Sequence, residues 1–174
     1  MLITVAYFPN TPRAHKPDHG GIMKELTSKG MTDLMNREGD GILALTDGKI
    51  PYCIPFGFVF VENHVYLSMF PSGRKWDYFQ KNPNVCFTVF CWNDEHTEWY
   101  SVVINGEMEQ VQDLEIIEQV VKSNIEKVGL DAATYLEKRL AYYKKSLDNP
   151  KALKIFKIKT KEMRGRKMAT QIGS

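Results

Sequence analysis

His64-Val-Tyr-Leu-Ser-Met-Phe70 runs directly into Pro71-Ser-Gly-Arg-Lys75, and then into Trp76-Asp-Tyr-Phe-Gln-Lys-Asn-Pro83. The first run reads as a strand that breaks at Pro71, because proline has no N–H to give a ladder. A short amphipathic helix then starts near Gly73 and stops before Pro83. A glycine and two cations at a helix start suit a phosphate. The free N–H groups there point outward, and the helix dipole favours negative charge. Arginine adds a planar fork and lysine a point charge. Taken alone, Arg74-Lys75 is a solvated helix start. With Ser72 and Gly73 before it and strands around it, a phosphate seat is the better reading.

The stretch before it is rich in β signals. Ile42-Leu-Ala-Leu-Thr46 reads as a strand, and Asp47-Gly48 as a hairpin turn. Ile50–Val61 pairs back, with Pro51 and Pro55 inside it, which places those positions at an edge, a bulge or a ligand contact. Glu62-Asn63 turns the chain into the strand at 64–70. After the short helix, Val85–Trp92 and Trp99–Val111 form two more strands around the polar loop Asn93–Glu98. Before this block, residues 22–38 read as one helix, with Ile22, Leu26, Leu34 and Met35 on a common face. Residues 1–21 read as an irregular polar segment.

The last third changes period. Leu114, Ile117, Val120, Val121, Ile125 and Val128 share a helix face, with Asp113 as N-cap and Gly129 as stop. Asp131 caps a second helix that runs to about Leu147, so 113–147 forms a helical pair. A final strand occupies 153–160. The expected architecture is mainly β: a six-stranded antiparallel barrel with peripheral helices, forming one domain over residues 1–174.

Composition excludes several classes of function. The 174 residues carry a net charge of +2, too little for a nucleic-acid surface. Late lysines alternate with Ile155, Phe156 and Ile158, as on a solvated strand face. No apolar run reaches the roughly 18 residues of a membrane span, and the start lacks the basic leader of a signal peptide. Cys53, Cys86 and Cys91 form no Cys-x-x-Cys pair, which argues for reduced thiols in the cytoplasm and against zinc. Cys86 and Cys91 lie on opposite faces of one strand. His15 and His19 are separated by Pro17 and followed by two glycines, so they read as a loop. His64 and His96 fall in turns. No metal site, Ser-His-Asp set or paired carboxylates are visible, and no catalytic residue is assigned. Trp76 and Phe79 read as core anchors. Trp92 and Trp99 read as packing or interface residues.

Five pieces carry a resemblance. They are Leu43-Ala-Leu-Thr-Asp-Gly-Lys-Ile-Pro-Tyr-Cys-Ile-Pro55, Val65-Tyr-Leu-Ser68, Gly73-Arg-Lys75, Asn82-Pro-Asn-Val-Cys-Phe87 and Tyr100-Ser-Val-Val-Ile-Asn-Gly106. Their order and spacing resemble the FMN-binding split-barrel proteins related to pyridoxamine 5′-phosphate oxidase, and among these the nitroimidazole-reductase-like branch. The resemblance spans residues 40–112, with weaker echoes in the first helix and at 154–160. It implies a homodimer that holds FMN in two interface clefts. Arg74 and Lys75 match the phosphate-binding pair, and Ser72 and Gly73 the turn around it. Tyr52, Cys53, Ile54 and Pro55 match the strand along the flavin ring, and Ser101 and Val102 a strand that contacts it. Many members carry a histidine where this chain has Ser68, so Ser68 enters the cofactor-binding set as a position only.

The function these features imply is an FMN-dependent oxidoreductase of the flavin-reductase or nitroreductase type. It would take hydride from NADH or NADPH and reduce a small-molecule electron acceptor. A flavin enzyme needs no visible acid–base set, because the cofactor carries the hard step. The alternatives are a pyridoxamine-phosphate oxidase using Arg164-Gly-Arg-Lys167, a haem or deazaflavin binder on the same barrel, and a non-catalytic flavin-binding protein.

Overall fold

Alternation of side chains builds the wall of the barrel. In β2 (Asp40–Thr46), Gly41, Leu43 and Leu45 are buried while Asp40 and Ile42 are exposed. The same two-residue period places Val85, Phe87 and Val89 of β5 (Asn84–Trp92) inside. It does so for Val102, Ile104 and Met108 of β6 (Glu98–Gln110). This one-sided burial is the signature of an antiparallel sheet wrapped around its own core.

The computed structural model describes residues 22–169. Residues 1–21, including the loop reading of His15 and His19, lie outside the described residues, as do 170–174. The remaining elements are β1 (Ile22–Glu25), α1 (Ser28–Arg37), β3 (Pro51–Val61), β4 (His64–Met69), α2 (Gly73–Lys81), α3 (Leu114–Lys127), α4 (Ala132–Leu147) and β7 (Lys154–Ala169). The strands form one seven-stranded sheet in the order β1-β7-β4-β3-β2-β5-β6. A further β6–β7 pairing closes β2 to β7 into a six-stranded antiparallel barrel, with β1 added outside the ring. The expected mainly β split barrel is therefore the observed fold.

Two elements differ from the sequence reading. The expected helix at 22–38 is divided. Ile22–Glu25 pairs with Arg166–Ala169 as β1, and the helix begins only at Ser28. Thr27 sets that boundary: its extended backbone and its hydroxyl, which accepts from Gly30 N at 3.1 Å, cap the helix. The final strand runs to Ala169 instead of Thr160. Its charged second half shows little apolar alternation, yet β1 on one edge and β6 on the other hold its backbone.

Two apolar cores share the sheet. Inside the barrel, Phe87, Val65, Val89, Ile104, Phe156 and Ile158 are fully buried. Trp76 and Phe79 of α2 pack on Phe156 with ring centroids 6.1 and 5.4 Å away, so α2 covers one end of this core. Outside, Val59, Tyr66 and Ile155 meet Ile117, Val120, Val121 and Ile125 of α3. Each buried side chain of this size contributes about 1.5–3 kcal/mol. Helix α4 completes the layer. Asp131 caps its start, accepting from Ala133 N and Thr134 N. The ammonium of buried Lys154 donates to the Ser146 and Leu147 carbonyls at its end.

Closure depends on one glycine. The β6–β7 register shifts between Asn105 and Gly106. A Cβ on Gly106 would lie 2.4 Å from the Lys159 carbonyl oxygen. We predict that Gly106→Ala destabilises the chain by about 1–3 kcal/mol, the usual range for overpacking. Thermal unfolding checks this, and an unchanged midpoint would contradict the close approach.

Candidate functional site

Helix α2 opens differently from the other described α-helices. Thr27, Asp113 and Asp131 each cap their helix through a side-chain oxygen, but Ser72 makes no such bond. No acidic residue lies in the first turn of α2. Gly73 has φ of +74°, and nothing lies within 4 Å of where a Cβ would stand, so the space over the turn is open. The backbone there takes a left-handed form that favours glycine.

Both cations of this turn are held by the chain. The Arg74 guanidinium lies 4.8 Å from the Tyr52 ring centroid and 5.2 Å from that of Tyr78. Its Nη2 donates to the Tyr78 hydroxyl at 3.1 Å, and this bond raises the arginine's pKa. The Lys75 ammonium donates to the Ser72 carbonyl at 3.3 Å. At the other end of α2, Lys81 lies 3.9 Å from Asp47 in the β2–β3 turn. The Asp47 carboxylate also accepts from Ile50 N and Lys49 N, and these bonds lower its pKa. The seat is thereby tied to the hairpin that carries Tyr52.

The remaining sequence-predicted residues occupy several places. Tyr52 and Ile54 are half-buried and pack against the barrel core. Cys53 and Pro55 are exposed on the outer face. Ser101 is half-buried on the outer face of β6, between Phe90 and Arg166 in register. The Val102 side chain is fully buried in the barrel, so only its backbone is available to a ligand. Ser68 stands on the helix-facing side of β4, and its hydroxyl lies 3.0 Å from that of Tyr143.

Residues 51–57 form an open seam. They pair with Asp40–Thr46 on one edge, whereas β4 pairs only with Phe58–Val61. Among the described residues no strand covers their second edge. Pro51 and Pro55 suit such an edge, since they have no N–H to leave unpaired.

The outer face beside this seam is apolar. Pro55, Ile42, Thr88 and Val103 stand in one cross-strand row, and Cys53, Ala44, Cys86 and Asn105 in the next. A cavity of about 340 Å³ lies here, lined by Ala44, Thr46, Cys86, Asn105 and Lys161 among others. Farther along, Phe90 contacts Trp92 and Trp99, with ring centroids 6.1 and 5.9 Å away. Phe90 is 56% exposed and Trp92 42%. Cys91 points inward instead, and Arg37 donates to its sulfur at 3.0 Å. Burial is the largest effect on that thiol and raises its pKa.

No group of three or more His, Cys, Asp or Glu suited to a metal ion occurs among the described residues. No described helix is long and apolar enough to cross a membrane. All three cysteines are free. Sequence reasoning passed over Tyr78, Arg139 and Tyr143. Tyr78 carried a signal, since it lies four residues after Arg74 on the same helix face. Tyr143 becomes a neighbour of Ser68 only when α4 folds back onto β4.

Comparison with known proteins places this arrangement. No curated protein matches the chain. Several solved structures share its fold. A FAD-binding protein from Mesorhizobium loti aligns with a TM-score of 0.64 at 21% identity, covering 86% of this chain and 99% of its own. A candidate 5-nitroimidazole antibiotic resistance protein from Bacteroides thetaiotaomicron gives 0.66 at 19% identity, with 86% and 89% covered. The family profile described as pyridoxamine 5′-phosphate oxidase matches residues 28–167. That match spans most of the chain, including the α2 seat, the open seam and the closing strand: the chain belongs to the pyridoxamine 5′-phosphate oxidase family.

Proposed function

We propose that the chain is a cytoplasmic, FMN-binding, homodimeric oxidoreductase of the flavin-reductase or nitroreductase type. The observation that carries this reading is the open turn at Ser72–Lys75, an uncapped helix start with a left-handed glycine and two cations. A terminal monophosphate fits it. Arg74 presents a planar fork that Tyr52 and Tyr78 hold in place, Lys75 adds a second charge, and Gly73 leaves room for close approach. The unpaired edge of residues 51–57 includes Tyr52, which packs under Arg74, so its backbone can meet the polar edge of a flavin ring. A relative in fold from Mesorhizobium loti is a FAD-binding protein, which supports a flavin ligand.

When bound, FMN would supply two-electron transfer between a reduced nicotinamide and a small, flat acceptor. The chain's part is to bind and orient. Arg74 and Lys75 neutralise the phosphate, and the Tyr52–Pro55 backbone sets the position of the ring. The outer face with Ile42, Phe90 and Trp92 supports a second copy as its cover. Apolar patches of this kind mark interaction surfaces. In such a dimer Cys53, Pro55 and Ser101 would be enclosed with the ring.

Three measurements test the reading. Combining Arg74→Ala with Lys75→Ala should weaken FMN binding by about 2–4 kcal/mol, from the loss of charge-assisted hydrogen bonds. Fluorescence titration of the apo-protein reads this directly, and unchanged affinity would remove the seat. Light scattering should give the mass of two chains, falling to one for Phe90→Glu combined with Trp92→Glu. A wild-type monomer that still holds FMN would contradict the interface. Oxidation of NADH or NADPH with a nitroaromatic acceptor separates an enzyme from a carrier.

A further inference from the structure

A second polar pocket lies away from the α2 turn, between the outer face of the barrel and the helical pair. It has a volume of about 40 Å³. Val59, Tyr66, Val120, Val121 and Ile155 supply apolar walls, and Ser68, Asn124, Arg139 and Tyr143 supply the polar groups. No carboxylate lines it, so its one formal charge is the Arg139 guanidinium.

Arg139 is held but not neutralised. Its Nη1 donates to the Asn124 side-chain oxygen at 2.6 Å. Among the described residues this amide is its hydrogen-bond partner, and no acid pairs with it. Guanidinium carries five donors, and one is used here. Asn124 therefore fixes the plane of the fork and leaves its charge unmatched. An arginine half-buried between a helix and a sheet usually meets an acid, because burying a lone charge is costly.

The hydroxyl pair points to the same chemistry. Ser68 Oγ and the Tyr143 oxygen lie 3.0 Å apart, and either can donate. Whichever hydroxyl accepts keeps its own hydrogen free for a further acceptor. The pocket thus offers a planar cationic fork and a spare O–H donor, with no competing anion. We propose that it binds a small carboxylate, with Arg139 as the charged contact and the Ser68–Tyr143 pair as the second donor. A carboxylate fits the available room, which is that of roughly three waters at about 10–15 Å³ each. One guanidinium also matches the single charge of a carboxylate better than a phosphate dianion, and its fork matches two coplanar oxygens.

This inference does not rest on the flavin reading: the pocket contains none of the residues of the α2 turn, and of the positions in the cofactor-binding set it shares only Ser68. Acetate is the probe, and acetamide is its neutral counterpart of similar shape. In an NMR titration of the wild-type chain, acetate should shift the Asn124 amide and Arg139 side-chain signals saturably, while acetamide should not. Arg139→Gln should weaken acetate binding by about tenfold or more, the effect of losing one charge-assisted contact. Arg139→Lys should fall between, since it keeps the charge and loses the fork. Absence of saturation, equal response to acetamide, or undiminished acetate binding in a folded Arg139→Gln chain would each overturn the proposal. If Arg139→Gln does not fold, the comparison of acetate with acetamide on the wild-type chain decides alone.

Discussion

The closing strand β7 is the constraint on which the architecture depends. Its first residues pair with β4, Phe156–Ala169 pair with β6, and its last residues accept β1. Without it, β4 and β6 would both end in rows of unpaired N–H and C=O groups, a costly and sticky arrangement. Pairing both edges at once forces the sheet to curl. The curl is possible because Gly106 admits the Lys159 carbonyl, and Gly165 lets α1 pack on the closing strand. A Cβ on Gly165 would lie 2.5 Å from Met31. One absent side chain therefore permits the ring that all other burial exploits, and a second lets α1 dock on it.

Curling divides the sheet into zones with different jobs. The inner face makes the barrel core, and part of the outer face makes a second core under α3 and α4. The rest of the outer face, from β3 across β2 and β5 to β6, stays apolar and uncovered. Between the zones, β3 leaves β2's partner role at residue 57 and joins β4 at Phe58, which opens the seam. The α2 turn, the seam and the bare apolar face are thus consequences of one topological choice. The carboxylate pocket is a consequence of another, the folding back of the helical pair onto β3 and β4.

Much of this was legible along the chain because its signals are local. Alternation in β2, β5 and β6, the Asp47-Gly48 turn, the apolar stripe of α3 and the caps Asp113 and Asp131 all act over a few residues. The α2 turn was legible for the same reason, since Ser72, Gly73, Arg74 and Lys75 are adjacent. The failures were equally physical. Residues 161–169 look like a charged tail, yet neighbouring strands hold them by backbone bonds that depend little on side chains. Ile22 and Leu26 have helical spacing, but β7 offered Ile22–Glu25 a sheet edge and Thr27 capped the helix late.

By itself the sequence determined most element types, though not that of β1, together with the barrel class and the cationic helix start, because periodicity, capping and turn chemistry are short-range effects. Only the tertiary structure decided which of the flavin-related positions share a surface. It turned Val102 into the core, left Cys53 and Pro55 outside, and brought Tyr52 under Arg74 and Tyr143 against Ser68. Those placements follow from sheet register and helix docking. Both are set by backbone pairing and apolar burial between segments far apart in the chain, which no local pattern encodes.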